Sequence, residues 1–257
     1  MSRNKIRFRP EARRAAIFDI VERGKRVSVE FLAERLDTSV ETVRRDLNVL
    51  ANSGHIRKIH GGAVRLSSLE ESAFGERAKH NTLAKQLIAE KLVGIISPGQ
   101  SLFLDTGTTT LTCAKAISRI PDLVVITNSA LIAAAVSGKD NGAKTTLLGG
   151  TYRHDNAQTI GPTTIAEIGQ FRTDHAVLTV GTLDANGASD FSEGEASVAR
   201  AMIGAASHVT VVADCSKLNR RSTYQVCGLD QIDTLILDQE PDAELREVLQ
   251  SANVEIL

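Results

Sequence analysis

Apolar positions near the start of the chain recur at helical spacing in three short blocks. Ala16, Ile17, Ile20 and Val21 share one face of a first helix. Pro10 opens it and Gly24 ends it, because proline fits a first helical turn and glycine an exit. Val29, Leu32, Ala33 and Leu36 form a second apolar stripe at i, i+3, i+4, i+7. A tight turn, Asp37-Thr38-Ser39, leads into a third helix whose Val40, Val43, Leu47 and Leu50 face inward and which Gly54 stops. Its start is open by one residue: Thr38 and Glu41 have capping-box spacing, and Ser39 is an equally good N-cap. Glu41, Thr42, Arg44, Arg45 and Asn48 are left facing outward. Residues 55–64 then read as a short β-hairpin with a glycine turn nearby.

The pattern changes further on. Residues 66–74, serine-containing and without a strong period, read as a boundary. A long helix is expected over residues 76–96, with Leu83, Leu87, Ile88, Leu92 and Ile95 on its apolar side, ending before the turn pair Pro98-Gly99. From there, apolar runs of strand length (101–104, 123–126, 145–148, 176–180, 209–213 and 234–237) alternate with amphipathic helical stretches. That alternation predicts an α/β fold with a mainly parallel sheet. The expected organisation is a helix-turn-helix head over residues 1–66, a linker over 67–75 and an α/β body over 76–257.

Composition narrows the function classes. The 257 residues have ordinary globular composition. No apolar run approaches the roughly 20 residues a membrane span requires, and no apolar h-region follows the basic N-terminus. A cytoplasmic protein without membrane contact is expected. Cys113, Cys215 and Cys227 form no CxxC pair and read as buried, reduced thiols. The six His are dispersed, so no metal and no cofactor is expected. The net charge of −1 conceals an asymmetry: residues 1–66 carry 15 Lys and Arg against 8 Asp and Glu, whereas residues 67–257 carry 15 against 23. A basic head on an acidic body suits a polyanion bound at one end, although a solvated basic surface would give the same count.

Two short helices, a turn and a polar-capped third helix make the helix-turn-helix plan, in which the last helix puts its N-terminal residues against base edges. Ser39, Glu41, Thr42, Arg44, Arg45 and Asn48 are the residues of this helix and its cap expected to face DNA; Arg44 and Arg45 suit guanine edges and phosphates, Thr42 a base edge or methyl. Arg57, Lys58 and His60 on the hairpin would meet phosphates or the minor groove. The run SVETVRRDLNVL from Ser39, followed by Gly54, Ile56, Arg57 and the HGGA of residues 60–63, resembles the head of the DeoR family of bacterial repressors. That resemblance implies a winged helix-turn-helix, binding to a double-stranded DNA operator, and repression of a sugar or polyol catabolic operon.

In open α/β sheets ligands bind beyond the carboxyl ends of the strands, so the residues that follow each strand matter most. After the first come Asp105, Thr106, Gly107, Thr108, Thr109 and Thr110, entering a helix: backbone N–H groups, hydroxyls and a helix dipole suit a phosphate. No Gly-Lys-Ser/Thr follows, so this is not a nucleoside-triphosphate loop. Asn128 and Ser129 follow the second strand, Gly149 and Gly150 the third, and Lys217 lies in the loop after the fifth. In this order the motifs resemble the sensor domain of the same family, similar in fold to ribose-5-phosphate isomerase. The resemblance implies that residues 106–110 hold an effector's phosphate, with Asn128 and Ser129 beside it. Glu195, Lys217 and Lys85 match a family glutamate and two family lysines. The chain departs from the family pattern at Ala199 (with Arg200), Cys215 and Leu218.

A rival reading is a sugar-phosphate isomerase with a DNA-binding head. It requires a general base near the substrate, yet the first acid of the isomerase motif is absent from the stretch Val180-Gly181-Thr182-Leu183-Asp184, leaving Glu195 as the candidate. A third reading is a constitutive DNA-binding protein whose body only oligomerises. The expectation is a regulator without catalysis, a homodimer or homotetramer, released from its operator by a phosphorylated sugar or polyol.

Overall fold

The computed structural model describes residues 9–24, 26–52, 56–65, 73–137 and 142–257. Gly54 and His55, where the third helix was expected to stop and the hairpin to begin, lie outside the described residues, as do residues 66–72 of the expected boundary. The chain forms two compact units, residues 1–70 and 71–257.

The smaller unit contains α1 (Pro10–Arg23), β1 (Val27–Ser28), α2 (Val29–Arg35), α3 (Val40–Asn52), β2 (Ile56–Ile59) and β3 (Gly62–Arg65). The three apolar stripes meet in one core: Ile17, Val21, Leu32, Val43 and Leu47 are fully buried. Ser39 settles the start of α3, since its hydroxyl accepts the Thr42 N–H at 3.1 Å. β2 and β3 form the expected hairpin, with Ile59 opposite Gly62. Gly61 turns it at φ +74°. The two-residue β1 was not expected; it pairs antiparallel with β3. This pairing explains the second glycine of the motif, because a Cβ on Gly62 would lie 2.2 Å from the Val27 carbonyl oxygen. Asp46, within the α3 motif, is buried and takes Arg13 Nε of α1 at 2.5 Å.

The larger unit begins with α4 (Phe74–Arg77) and α5 (Thr82–Val93), followed by β4 (Ser101–Leu104), α6 (Thr108–Ile117), β5 (Val124–Thr127), α7 (Ala130–Val136), β6 (Lys144–Leu147), β7 (Thr151–Arg153), β8 (Gln158–Ile160) and α8 (Pro162–Ile168). It continues through β9 (Thr173–Thr179), β10 (Thr182–Asp184), β11 (Gly187–Asp190), α9 (Glu193–Ile203), β12 (Ala206–Ala213), β13 (Tyr224–Cys227), β14 (Thr234–Leu237), α10 (Ala243–Ser251) and β15 (Glu255–Ile256). Seven strands form one parallel sheet in the order β15-β14-β12-β9-β4-β5-β6. All six expected strands lie in it. Alternate residues along each strand serve opposite faces. Phe103, Ala176, Leu178, Val211 and Leu235 pack with α8, α9 and α10 on one face. Leu102, Leu104, Val177, Val212 and Ile236 pack with α5, α6 and α7 on the other.

The expected single helix over residues 76–96 is two. Asn81 sits at φ +52°, which breaks the helix between α4 and α5. Only part of its expected apolar side is buried: Ile88 and Leu92 are, while Leu83 and Leu87 are exposed. Cys113 and Cys227 are buried as expected, but Cys215 is exposed. Its thiol is nevertheless pushed up to about 11 by partial burial and then by the Asp238 and Asp214 carboxylates, so it is protonated at neutral pH. Among the described residues, no helix is long and apolar enough to cross a membrane.

The Arg13–Asp46 pair gives a direct test of the head. Truncating one partner leaves the other charge in a largely desolvated place. Asp46→Ala is expected to destabilise the head by about 3 kcal/mol, read as a lower denaturant midpoint for its unfolding transition.

Candidate functional site

On the head, α3 and the β2–β3 hairpin present the nine expected DNA-reading residues. Ser39 caps α3, and its hydroxyl also shares a 2.8 Å hydrogen bond with that of Thr42, so Thr42 serves the helix start as well as facing outward. Glu41 lies between the two arginines, 3.9 Å from Arg44 and 3.8 Å from Arg45, with all three side chains more than half exposed. Such exposed pairs contribute little to stability and separate easily, which leaves both guanidinium groups available to a stronger anion. Asn48 is joined to the hairpin: Lys58 Nζ donates to its side-chain oxygen at 2.5 Å. Arg57 and His60 share the hairpin with Lys58. The structure therefore ties helix and hairpin together through Asn48–Lys58, a link that periodicity alone does not reveal.

In the body, the chain runs from β4 outward to β5 and β6, then returns to place β9 on the other side of β4. The β4/β9 boundary is thus the topological switch point, where a crevice opens at the carboxyl ends. Asp105 stands at it. Both its carboxylate oxygens accept the Thr179 N–H, at 3.0 and 3.1 Å, closing the loop after β4 onto the end of β9. Gly107 permits this approach, since a Cβ there would fall 2.2 Å from the Thr179 methyl. Gly107 also starts α6 without a side-chain cap, so the first-turn N–H groups at residues 108–110 have no intrahelical partner. The hydroxyl of Thr110 donates to the Gly107 carbonyl at 3.2 Å and that of Thr106 to Asn128 Oδ1 at 3.1 Å.

Asn128 and Ser129 lie beside this loop at the end of β5, both buried. Ser129 caps α7 through the Ile132 N–H. The β7–β8 hairpin docks onto the same edge: Ala130 N–H donates to the Ala157 carbonyl at 2.9 Å and Thr159 N–H to that of Asn128 at 2.8 Å. It carries in two residues that the sequence did not flag. Gln158 accepts from Asn128 at 3.5 Å, and its own amide donates to Glu195 Oε1 at 2.7 Å. Asn156 donates to the same Glu195 oxygen at 3.0 Å. Glu195 thus reaches the edge from the first turn of α9, which Ser192 caps. Asp190, at the end of β11, accepts the Phe191 and Ser192 N–H groups.

Other expected residues have different company. The buried Lys85, on α5, donates to the Arg77 and His80 carbonyls at 2.5 and 2.8 Å and so closes the break after α4. Gly149 and Gly150 do allow close approach, but to α8. Gly149 donates to Glu167 at 2.7 Å, the Thr164 hydroxyl donates to the Gly149 carbonyl at 2.7 Å, and a Cβ on Gly150 would meet Thr164 at 2.1 Å. Lys217 lies half-buried in a short 3₁₀ turn, Cys215–Lys217, after β12, whose N-cap Asp214 accepts the Ser216 N–H. Asp184 caps its own turn by accepting the Asn186 N–H at 2.8 Å.

The carboxyl edge is acidic. Burial pushes the Asp105 carboxyl well above the usual carboxylate range, against the Thr179 N–H, and the nearby Asp190 and Glu195 charges push it further. Among the described residues, no group of three His, Cys, Asp or Glu is arranged to hold a metal ion.

The sequence matches two families along most of its length: residues 13–69 match the DeoR-like helix-turn-helix domain, and residues 80–239 the DeoR C terminal sensor domain. The chain is similar to the HTH-type transcriptional regulator GlpR of Haloferax volcanii, with 37% identity covering 96% of this chain and 97% of that one. It is 34% identical to the HTH-type transcriptional repressor CsqR of Escherichia coli, over 93% of this chain and 91% of that one. The glycerol-3-phosphate regulon repressor of Escherichia coli is 31% identical over 95% and 97%. A ribose 5-phosphate isomerase of Methanocaldococcus jannaschii superposes with a TM-score of 0.40, at 14% identity, over 54% of this chain and 55% of that one.

Two consequences can be measured on the body. Gly107→Ala forces the loop off Thr179 and is expected to destabilise the body by about 1–3 kcal/mol, seen as a lower thermal midpoint. Asp105 has a raised folded pKa, so its unfavourable contribution is absent below the unfolded value of 3.8 and grows as pH rises towards the folded one. Asp105→Asn should therefore raise the thermal midpoint at neutral pH, and the difference from wild type should vanish near pH 4; an equal difference at both pH values would contradict this assignment.

Proposed function

The chain belongs to the DeoR family and is a DNA-binding transcriptional repressor rather than an enzyme, and from that premise we infer that it represses an operon for a sugar, polyol or glycerol phosphate and is released by the phosphorylated compound. The observation that carries the effector half is the β4/β9 switch point, where the start of α6, closed onto Thr179 by Asp105, adjoins three carboxylates. The N–H groups of residues 108–110 and the hydroxyls of Thr108 and Thr109 would take the phosphate. Asp190 and Glu195, as acceptors, suit the hydroxyls of a polyhydroxy chain. A phosphate and hydroxyls on one small molecule match that pairing. Lys217 is the cation assigned to the phosphate end, since the Lys85 ammonium is held by the Arg77 and His80 carbonyls.

For the operator, α3 enters the major groove with Arg44, Arg45 and Asn48 foremost, and the hairpin places Arg57, Lys58 and His60 on the flanking backbone. Two-fold operators require paired heads, so the working species is a homodimer or homotetramer acting in the cytoplasm. By linkage, the effector weakens operator binding only as far as it prefers the released state, about 1–3 kcal/mol or roughly 5- to 150-fold in typical cases.

Fluorescence anisotropy on DNA from upstream of its own operon tests both halves. Arg45→Ala is expected to weaken binding and lower the slope of log K against log salt by about 0.9. Glycerol 3-phosphate or a sugar phosphate, and not the unphosphorylated parent, is expected to release the wild-type protein. Equal effects of phosphate ester and parent would sink the phosphate-seat reading.

A further inference from the structure

The β7–β8 hairpin brings a cation to the edge of the site as well as two amides. In its register Arg153 lies directly opposite Gln158, and opposite residues of an antiparallel pair turn their side chains to one face. Gln158 identifies that face. It is buried, its backbone bridges to Ser129 ahead of α7, and its side chain contacts Asn128 and Glu195. Asn128 in turn accepts the Thr106 hydroxyl of the loop after β4. Arg153 therefore stands on the site side of the hairpin, with Gln158 and Asn128 between it and that loop.

Its partner is a near neighbour in the chain. The Arg153 guanidinium donates to the two oxygens of Asp155, at 3.3 and 2.6 Å. The pair is shallow: the two side chains are 49% and 45% exposed, and all three residues of β7 are exposed. Such pairs hold weakly and part without disturbing a core. The field at Arg153 is nonetheless set partly from the site. Its hydrogen bonds to Asp155 and that residue's charge raise its pKa most, against slight desolvation, and the Glu195 carboxylate raises it further. Glu195 thus lies within electrostatic reach of the guanidinium.

A phosphorylated ligand poses a charge problem at this edge. Its phosphate would enter near Asp190 and Glu195, and the Lys85 ammonium is already held by two carbonyls. A guanidinium fork fits two phosphate oxygens as well as two carboxylate oxygens. We propose that Arg153 is a further effector-binding residue: its guanidinium leaves Asp155 for the effector's phosphate, and Asp155 is the competitor that the ligand displaces. The proposal rests on the effector reading given above. The exchange trades one ion pair for another and brings a positive charge to the side of the ligand that faces Glu195. It also gives selectivity. A compound that offers only hydroxyls cannot compete with a carboxylate for the fork, so Arg153 separates a phosphate ester from its unphosphorylated parent.

The test uses the full chain and calorimetric titration with glycerol 3-phosphate or, where that is inert, with a panel of sugar phosphates. Wild type, Arg153→Ala, Asp155→Asn and the double variant are compared. Asp155→Asn removes the charge but keeps an oxygen for the Asn156 N–H that Asp155 accepts. Arg153→Ala is expected to weaken the active probe at least about tenfold, as loss of a hydrogen bond to a charged group does. Asp155→Asn is expected to tighten it about two- to threefold, the worth of an exposed ion pair. The double variant should match Arg153→Ala, because Asp155 acts only through Arg153. If Arg153→Ala binds the active probe within about twofold of wild type, Arg153 is no part of the site and the effector reading stands without it. If Asp155→Asn weakens the probe as Arg153→Ala does, the pair serves only the shape of the hairpin and the exchange is overturned. If no phosphorylated probe binds wild type, the effector reading fails and this proposal fails with it.

Discussion

At the carboxyl ends of β4 and β9 two parallel neighbours must send the chain to opposite faces of the sheet. The segment after β4 enters α6, which packs with α5 and α7; the segment after β9 passes through the β10–β11 hairpin to α9, on the other face. Divergence at a switch point opens a crevice in any such sheet. Here its lips are held in place by Asp105, whose carboxylate takes the Thr179 N–H across the gap, and by the missing side chain at Gly107. The start of α6, the placement of Thr106 against Asn128 and the nearness of Glu195 to Asp105 all depend on that closure.

Closing the crevice with a carboxylate has an electrostatic consequence. Asp105 is desolvated and has two more acids nearby, so its charged form is disfavoured. The main-chain donor at Thr179 works against this, because it favours the charged form. The site therefore sits in a balance that an incoming donor can tip: a ligand hydroxyl, or a cationic side chain moving in, would stabilise the ionised carboxyl. The polar residues around it differ in kind. Asn128, Gln158 and Asn156 are neutral, and their orientations are set by what lies on either side. Neutral amides suit such a place, since re-pairing them costs a hydrogen bond rather than the full desolvation of a charge.

Much of this was legible from residue patterns, and the reasons differ by element. The three head helices and five of the six expected strands announce themselves because each buries one face or both, and burial writes a period into the sequence; β6 is mostly exposed and was read from its apolar run alone. The loops after β4 and β5 were singled out because ligand sites in such sheets follow strand ends. The strands β1, β7, β8, β10, β11, β13 and β15 were not found, being two to four residues long and placed by pairing rather than by their own periodicity. The break at Asn81 was hidden because α4 and α5 both carry helix formers, and an asparagine in the left-handed region looks ordinary in one dimension. Asn156 and Gln158 were invisible for a further reason: they act from a hairpin far along the chain from Glu195, and a polar residue in a turn reads as solvated. Lys85 was noticed from its family position, whereas its contacts with the Arg77 and His80 carbonyls could come only from the fold.

The acidic edge also bears on which ligands such a site would refuse. A helix start with free N–H groups attracts anions in general. Inorganic phosphate and small carboxylates are abundant competitors, and a site built from α6 alone would hold them. Placing Asp190 and Glu195 beside the seat would, in the effector reading, penalise any ligand that brings a second negative group to that side. It favours one whose remaining groups are donors. Discrimination then arises from the repulsive half of the site as much as from the attractive half.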